Sequence, residues 1–170
     1  MADPAIKNDR HYTYAEYRSW PDDERWELID GVAYSMSPAP TRTHQGFVVE
    51  LVRQIQNQLD DKPCRLYVAP FDVRLPTASE ADEQTDTVVQ PDIAVICDPS
   101  KLDEKGCRGA PDWIIEILSP FTSRKDMAVK FELYRRHGVR EYWIVEPGSK
   151  YVQVYVLDGL TIDLKRVFVE

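Results

Sequence analysis

Two acids lie inside the most apolar runs of the chain. Asp92 lies in "VVQPDIAVI", and Glu116 lies in "DWIIEIL", a run with a proline on either side. Both runs are short and rich in β-branched residues, so each is predicted to be a buried strand. A carboxylate there is costly to desolvate unless a cation meets it. Either each acid reaches water or a backbone N–H near a strand end, or the two acids share a cation.

A lysine on the next predicted helix is a candidate for that cation. Met127, Phe131 and Tyr134 follow the spacing i, i+4, i+7 and mark the core face of the helix. Lys130 lies at i+3 of the same face, so its amine is expected to point toward the sheet. The alternative is that Lys130 extends its amine past the edge of this face into water.

A histidine and a third acid are further candidates. His44 falls on the apolar face of its helix, in the first turn, where it is either a core residue or part of a site. Glu27 lies between Trp26 and Leu28 in "RWELIDG". It either pairs with a core cation or lies on the solvated face of a hairpin.

The chemistry that suits these residue types is metal-assisted hydrolysis of a phosphodiester. Two neighbouring carboxylates, Asp92 and Glu116, form a hard oxygen site that favours Mg²⁺ or Mn²⁺ over zinc. Such a metal activates a water, and Lys130 would stabilise charge on the phosphate or help to deprotonate that water. The chain has no glycine-rich phosphate loop, no GxSxG motif and no cysteine with an evident catalytic partner.

The first half of the chain contains clear element boundaries. Thr13 and Glu16 form a capping box that predicts a short helix near 14–20. Asp30-Gly31 between two strand-like runs predicts a β-hairpin. After a loop, Thr41 or Thr43 is expected to cap a helix over 44–59. "RLYVAPFDVRLP" is predicted to be a strand that bends at its internal proline.

The second half adds one more helix and several strands. A polar link over 98–110 joins the two acid-bearing strands. Ser123 and Asp126 form a second capping box, and the helix that they open is expected to end at Gly138. "EYWIV", "YVQVYVL" and "TIDLKRVFV" are predicted strands, separated by turns at Pro147-Gly148 and Asp158-Gly159. This order of elements indicates a mixed sheet flanked by helices.

Composition limits the class of protein. With 170 residues, of which 43% are hydrophobic, one globular domain over 1–170 is expected, with 1–11 as a flexible tail. No apolar run approaches the roughly 20 residues of a membrane span, and the N-terminus lacks the apolar core of a secretion signal, which favours the cytoplasm. The three cysteines, Cys64, Cys97 and Cys107, predict neither a disulfide framework nor a zinc knuckle. The net charge of -8 argues against non-specific nucleic-acid binding by the whole surface.

Several of these motifs together resemble a known family. "QPDIAVI", "DWIIEILSP", a polar turn with Asp126 and Lys130, and "GVREYWIVEP" are similar to the Uma-type restriction endonuclease family of the PD-(D/E)XK nuclease superfamily. The hairpin "WELIDG" and the helix beginning at His44 match as well, so that the resemblance extends over roughly 12–157. It implies an α/β (α+β) fold with a restriction-endonuclease-like core: a central mixed sheet, helices on both sides and an N-terminal hairpin.

The resemblance also implies roles for individual residues. Pro91-Asp92 matches the PD element and Glu116 the second acid, and the backbone carbonyl of Ile117 would be a further ligand of Mg²⁺ or Mn²⁺. The superfamily's lysine normally follows two residues after the second acid, where this chain has Leu118. In the Uma-type family the lysine comes from the next helix, which indicates Lys130.

By the same resemblance, Glu27 and His44 are added active-site residues, and DNA is the expected substrate. A homodimer is expected through the last strands. The alternative is a catalytically inactive member of the fold that acts as a dimeric nucleic-acid-binding or scaffold protein. A basic cluster on the last helix and its flanks either follows a phosphate backbone or is a solvated face balanced by acids. The cluster consists of Arg124, Lys125, Arg135, Arg136, His137 and Arg140.

Overall fold

The computed structural model describes residues 7, 10–21, 24–36, 40–119 and 124–157, with the side chains of 124–126 left out. The expected capping box at Ser123 and Asp126, the turn at Asp158-Gly159 and the last predicted strand lie outside the described residues or side chains. The helices and strands are α1 (Tyr14–Tyr17), β1 (Trp26–Ile29), β2 (Val32–Ser35), α2 (Arg42–Leu59), β3 (Arg65–Val68), β4 (Val73–Arg74), β5 (Val88–Val89), β6 (Ile93–Ile96), β7 (Leu102–Asp103), β8 (Gly106–Arg108), β9 (Trp113–Ile117), α3 (Arg124–His137), β10 (Glu141–Glu146) and β11 (Tyr151–Val156).

The strands form two mixed sheets. The central sheet has the order β11-β10-β9-β6-β3, in which β9 and β10 are parallel and the other neighbours are antiparallel. The second sheet has the order β2-β1-β5-β4-β8-β7, with β4 and β8 parallel. The expected mixed sheet with helices and an N-terminal hairpin is therefore confirmed, and the hairpin forms one edge of a second sheet.

The two long helices cover opposite faces of the central sheet. On one face, Leu133 and Tyr134 of α3 join the core formed by Ala94 and Ile114. On the other face, the apolar side of α2 packs on a core that includes Ile93, Val95, Ile115 and Ile117. Leu59, the last residue of α2, is buried in the same core. Because alternate residues of a strand face opposite ways, this arrangement directs Glu116 toward α3, the helix that carries Lys130.

Local sequence signals account for the element ends. Asp30 and Gly31 take φ of 51° and 75°, the left-handed values that a two-residue hairpin turn requires. The Thr41 side chain accepts a hydrogen bond from the backbone N–H of His44 and caps α2, which begins at Arg42, two residues earlier than expected. Gly138, with φ of 83°, ends α3 as predicted.

Four expected segments differ from the sequence-based expectation. The helix α1 ends at Tyr17, well before position 20. "VVQPDIAVI" is two strands, β5 and β6, because Pro91 has no N–H for a ladder and the chain there passes from one sheet to the other. The predicted bent strand is likewise divided into β3 and β4, in different sheets. The polar link over 98–110 contains β7 and β8, too short to show periodicity.

The expectation of no disulfide is wrong. Cys64 and Cys97 are joined by a disulfide across β3 and β6. Arg65 pairs with Ile96 in the antiparallel ladder. Cys64, just before Arg65, therefore lies opposite Cys97, just after Ile96. The sequence hides this relation because 33 positions separate the two residues and only the antiparallel pairing brings them together. Cys107 is a buried free thiol.

None of the helices within the described parts of the chain combines the length and the apolar character that crossing a lipid bilayer requires.

Candidate active site

Asp92 and Glu116 lie opposite each other on adjacent antiparallel strands. Ile93 pairs with Ile115, and one step beyond that pair Asp92 faces Glu116. The carboxylate of Asp92 accepts a hydrogen bond at Oδ2 from the backbone N–H of Ile117, over 2.7 Å. Two acids from separate apolar runs therefore meet at one point of the central sheet.

Lys130 lies between two carboxylates. Its Nζ is 2.9 Å from Oε1 of Glu116 and 3.0 Å from Oε1 of Glu27, and it donates to both. The side chains are 17%, 13% and 9% exposed for Lys130, Glu116 and Glu27, so the amine turns inward and does not extend into water. Lys130 therefore points inward as expected, and the second carboxylate that it contacts is that of Glu27.

Glu27 brings the second sheet into the site. It lies on β1, is buried, and its Oε1 also accepts a hydrogen bond from the backbone N–H of Gln90 over 2.9 Å. Gln90 lies between β5 and β6, at the point where the chain passes from one sheet to the other. Of the two alternatives for Glu27, pairing with a core cation is the one observed.

His44 contacts Asp92 from the first turn of α2. Its Nε2 lies 3.2 Å from Oδ2 of Asp92, and its Nδ1 is buried without a hydrogen-bond partner in the described part of the chain. Hydrogen bonding to Asp92 raises the pKa of His44, while burial acts in the opposite direction. The histidine is thus part of the acidic site and not only a core residue.

Tyr134 contributes a hydroxyl that the sequence analysis assigned only to the core. The buried Tyr134 donates from its OH to Oε1 of Glu116 over 2.8 Å. The signal that could have indicated this contact is its position, one helical turn after Lys130 on the same face of α3.

The charges at the centre of the site influence each other strongly. Burial raises the pKa of Glu116; the Lys130 ammonium lowers it, and the charges of Asp92 and Glu27 raise it again, so that the net pKa lies above the ordinary range. Burial alone would lower the pKa of Lys130, but the carboxylates of Glu116 and Glu27 hold it well above its ordinary value. Lys130 therefore remains a cation at neutral pH.

A polar network lies behind Glu27. The Gln90 side-chain amide donates to Oδ1 of Asp72 over 2.9 Å and to the Tyr17 OH over 3.1 Å, and Tyr17 in turn donates to Asp72 over 3.1 Å. Burial raises the pKa of Asp72. Only the position of Gln90 beside Pro91-Asp92 could have indicated any part of this network from sequence.

The basic cluster is a balanced surface where the structure describes it. Arg135 pairs with Glu132, Arg136 with Asp30, and Arg140 with Asp112. Burial and the neighbouring Arg136 lower the pKa of His137. The side chains of Arg124 and Lys125 lie outside those that are described. Acids therefore lie beside each of these three arginines, as the acid-balanced alternative expects.

The donor set suits a hard divalent cation. Asp92 and Glu116 offer carboxylate oxygens, and the Ile117 backbone carbonyl follows directly in the chain. Within the described residues, no group of three or more His, Cys, Asp or Glu side chains is arranged to hold a metal. Two carboxylates match Mg²⁺, which commonly takes one or two from protein and completes its shell with water and phosphate oxygens.

Comparison with known proteins identifies a family and a shared fold. The model of a family named Uma2, described as "Putative restriction endonuclease", matches residues 14–169. An uncharacterized protein, slr1290, of Synechocystis sp. strain PCC 6803 is 27% identical over 143 residues, which cover 82% of this chain and 71% of that protein. A crystal structure described as a putative nuclease belonging to DUF820, from Anabaena variabilis, has a TM-score of 0.70 at 24% identity and covers 89% of this chain and 83% of that one. The last likeness shows a shared fold.

Proposed function

The chain belongs to the Uma2 family, and we propose that it is an endonuclease that hydrolyses DNA phosphodiester bonds with Mg²⁺ or Mn²⁺. The observation that carries this proposal is that Glu116 lies opposite Asp92 across two strands and accepts a hydrogen bond from the inward amine of Lys130. Two opposed acids, one of them paired with an inward lysine, suit metal-assisted phosphodiester hydrolysis, in which carboxylates hold the ion and a cation stabilises charge on the phosphate.

Asp92, Glu116 and the Ile117 carbonyl would hold the metal. A bound Mg²⁺ or Mn²⁺ supplies a water of lowered pKa and offsets charge on the phosphate. The protein holds Asp92 ready for this role through the Ile117 N–H and His44, both of which bond to its Oδ2. His44 therefore fixes the orientation of the first acid.

Lys130 acts as an electrostatic group and not as a base. With carboxylates at 2.9 and 3.0 Å it keeps its proton, so it stabilises negative charge on the scissile phosphate. Leu118, where the superfamily's lysine would lie, packs against the core on the same face of the sheet. The amine that α3 delivers to Glu116 takes over the function of that missing lysine, and Glu27 holds it in place.

A homodimer completes the proposal. Among the described strands, β11 is an edge of the central sheet, and its Tyr151, Val152 and Val154 are 47%, 45% and 41% exposed. An exposed apolar edge strand pairs readily with a second copy of itself. Analytical sedimentation of the unaltered protein and of a Val152→Glu/Val154→Glu variant tests the homodimer. A dimeric unaltered protein and a monomeric variant support it, and a monomeric unaltered protein contradicts it.

Plasmid nicking tests the enzymatic proposal. Supercoiled DNA is incubated with Mg²⁺ or Mn²⁺ and the unaltered protein, Asp92→Ala, Lys130→Ala or Lys62→Ala. Lys62 is exposed and follows the far end of α2, about 27 Å along the helix from its start, so it serves as a matched lysine control. The proposal is supported if the unaltered protein and Lys62→Ala nick the DNA and Asp92→Ala and Lys130→Ala do not. Equal nicking by all four, or none by any folded protein, contradicts it and favours a non-catalytic member of the fold.

A further inference from the structure

Two donors converge on one oxygen of Glu116. Lys130 Nζ and the Tyr134 hydroxyl lie 2.9 Å and 2.8 Å from the same atom, Oε1. A carboxylate has about four lone-pair sites, two on each oxygen. Both sites of Oε1 are thus in use, and among the described residues Oε2 is the oxygen that keeps its acceptor capacity.

Asp92 shows the same division between its oxygens. Its Oδ2 accepts from the Ile117 N–H at 2.7 Å and contacts His44 Nε2 at 3.2 Å. Within the part of the chain that the structure describes, each of the two opposed acids therefore uses one oxygen for its side-chain hydrogen bonds. The repetition of this pattern on both strands indicates a function for the two remaining oxygens.

We infer that Tyr134 is a positioning residue that holds Glu116 so that Oε2 alone binds the divalent cation. The inference rests on the proposed function and adds a residue to it. A glutamate has three side-chain torsions, and Tyr134 adds a second restraint on them to the one that Lys130, itself held by Glu27, already supplies. The Tyr134 ring is fully buried and packs edge-on against Tyr142, with ring centroids 4.9 Å apart, so its hydroxyl is a rigid donor. It fixes the carboxylate before the cation arrives.

Metal ligands that are oriented by such outer hydrogen bonds lose affinity when the bond is removed, by roughly 10–100-fold. Tyr134→Phe deletes the donor and keeps the ring. Tyr142→Phe is a matched control, because it removes a hydroxyl from the adjacent buried ring and leaves the Tyr134–Glu116 bond intact. Calorimetric titration with Mn²⁺ of both variants and the unaltered protein gives the dissociation constants.

The expected result is a Kd for Mn²⁺ at least ~10-fold higher in Tyr134→Phe and unchanged in Tyr142→Phe. The Mn²⁺ concentration for half-maximal nicking should rise by the same factor, and the rate at saturating Mn²⁺ should return toward that of the unaltered protein. A purely structural role of Tyr134 would not give this recovery. Tyr134→Phe with unchanged Mn²⁺ affinity, in a protein that binds Mn²⁺ and nicks DNA, overturns the inference and leaves the proposed function in place. An unaltered protein that binds no Mn²⁺ overturns both.

A crystal structure of the unaltered protein with Mn²⁺ decides the question if Tyr134→Phe does not fold. The inference requires Mn²⁺ bound by Oε2 of Glu116, with Oε1 still accepting from Tyr134 and Lys130. Coordination through Oε1, alone or together with Oε2, overturns it.

Discussion

The ammonium of Lys130 lies 2.9 Å from Oε1 of Glu116, although the two residues belong to different elements and 14 positions separate them. Neither charge would be stable at this depth alone, because an uncompensated buried ion costs several kcal/mol. Glu27 supplies a second carboxylate from the other sheet. The three side chains form one charge-linked group at the junction of the two sheets.

Removing the amine should destabilise the protein strongly. Lys130→Met leaves Glu27 and Glu116 buried without their cation, and we expect a loss of about 3–5 kcal/mol in the free energy of unfolding in EDTA. Urea denaturation followed by circular dichroism measures it. The double variant Glu27→Gln/Lys130→Met lacks one of the two carboxylates left without a cation. Its loss in the free energy of unfolding should therefore be smaller than the sum of the losses in the two single variants. Additive losses would show that the two residues are not coupled.

His44 and His11 provide a matched pair of histidines. Each contacts an aspartate through Nε2, His44 with Asp92 at 3.2 Å and His11 with Asp86 at 3.1 Å, but the His11 side chain is 62% exposed. We expect His44→Ala to slow plasmid nicking by ~10²-fold, a loss typical of a displaced catalytic group. His11→Ala should nick at the unaltered rate. Similar rates for the two variants would remove His44 from the site.

Ionisation of Asp72 should make the stability of the protein depend on pH, and the Asp72→Asn variant should lack this contribution. Burial raises the pKa of Asp72 above its unfolded value of about 3.9. A raised carboxyl pKa contributes stability below the unfolded pKa, and this contribution is lost as the pH rises through the folded pKa.

Asp72→Asn keeps an Oδ1 to accept from Tyr17 and Gln90 and cannot ionise. Relative to the unaltered protein, its melting temperature should rise at pH 7.5, and the difference should shrink toward about pH 4, near the unfolded pKa. Scanning calorimetry at the two pH values measures this. A variant less stable at pH 7.5 would mean that the ionised carboxylate is needed.

The thiol count tests the disulfide. With Cys64 and Cys97 joined, denatured and unreduced protein should release one equivalent in a thiol assay, from Cys107. The native protein should react slowly, because burial raises the pKa of Cys107 to about 11 and the thiolate is the reactive form. Three reactive thiols in denatured, unreduced protein would contradict the pairing.

Much of the site follows from local pattern, because each residue's direction depends on its own element. Strand alternation places Glu116 on the α3 side, and helical spacing turns Lys130 inward. The sequence does not show which acid meets the amine. Glu27 reaches Lys130 only because β1 belongs to a second sheet, and that sheet depends on β4, β5, β7 and β8, which have two or three residues each. Strands so short carry no periodicity to recognise.

Long-range pairing explains the remaining differences. Cys64 meets Cys97 through the register of β3 on β6. Asp72, Gln90 and Tyr17 come from three separated segments, and no local pattern links them. Pro91 could have been recognised as a strand break, because a residue without an N–H cannot continue a ladder into the next sheet.

Binding of Mn²⁺ to the metal-free protein tests the central claim most directly. Calorimetric titration is compared for the unaltered protein, Asp92→Asn, Glu116→Gln and Glu50→Gln; Glu50 is an exposed acid on α2, paired with Arg53. If Asp92 and Glu116 form a metal site, the unaltered protein and Glu50→Gln will bind Mn²⁺ alike and the other two will lose the binding heat. Equal binding by all four proteins, or no binding by the unaltered protein, would contradict the account.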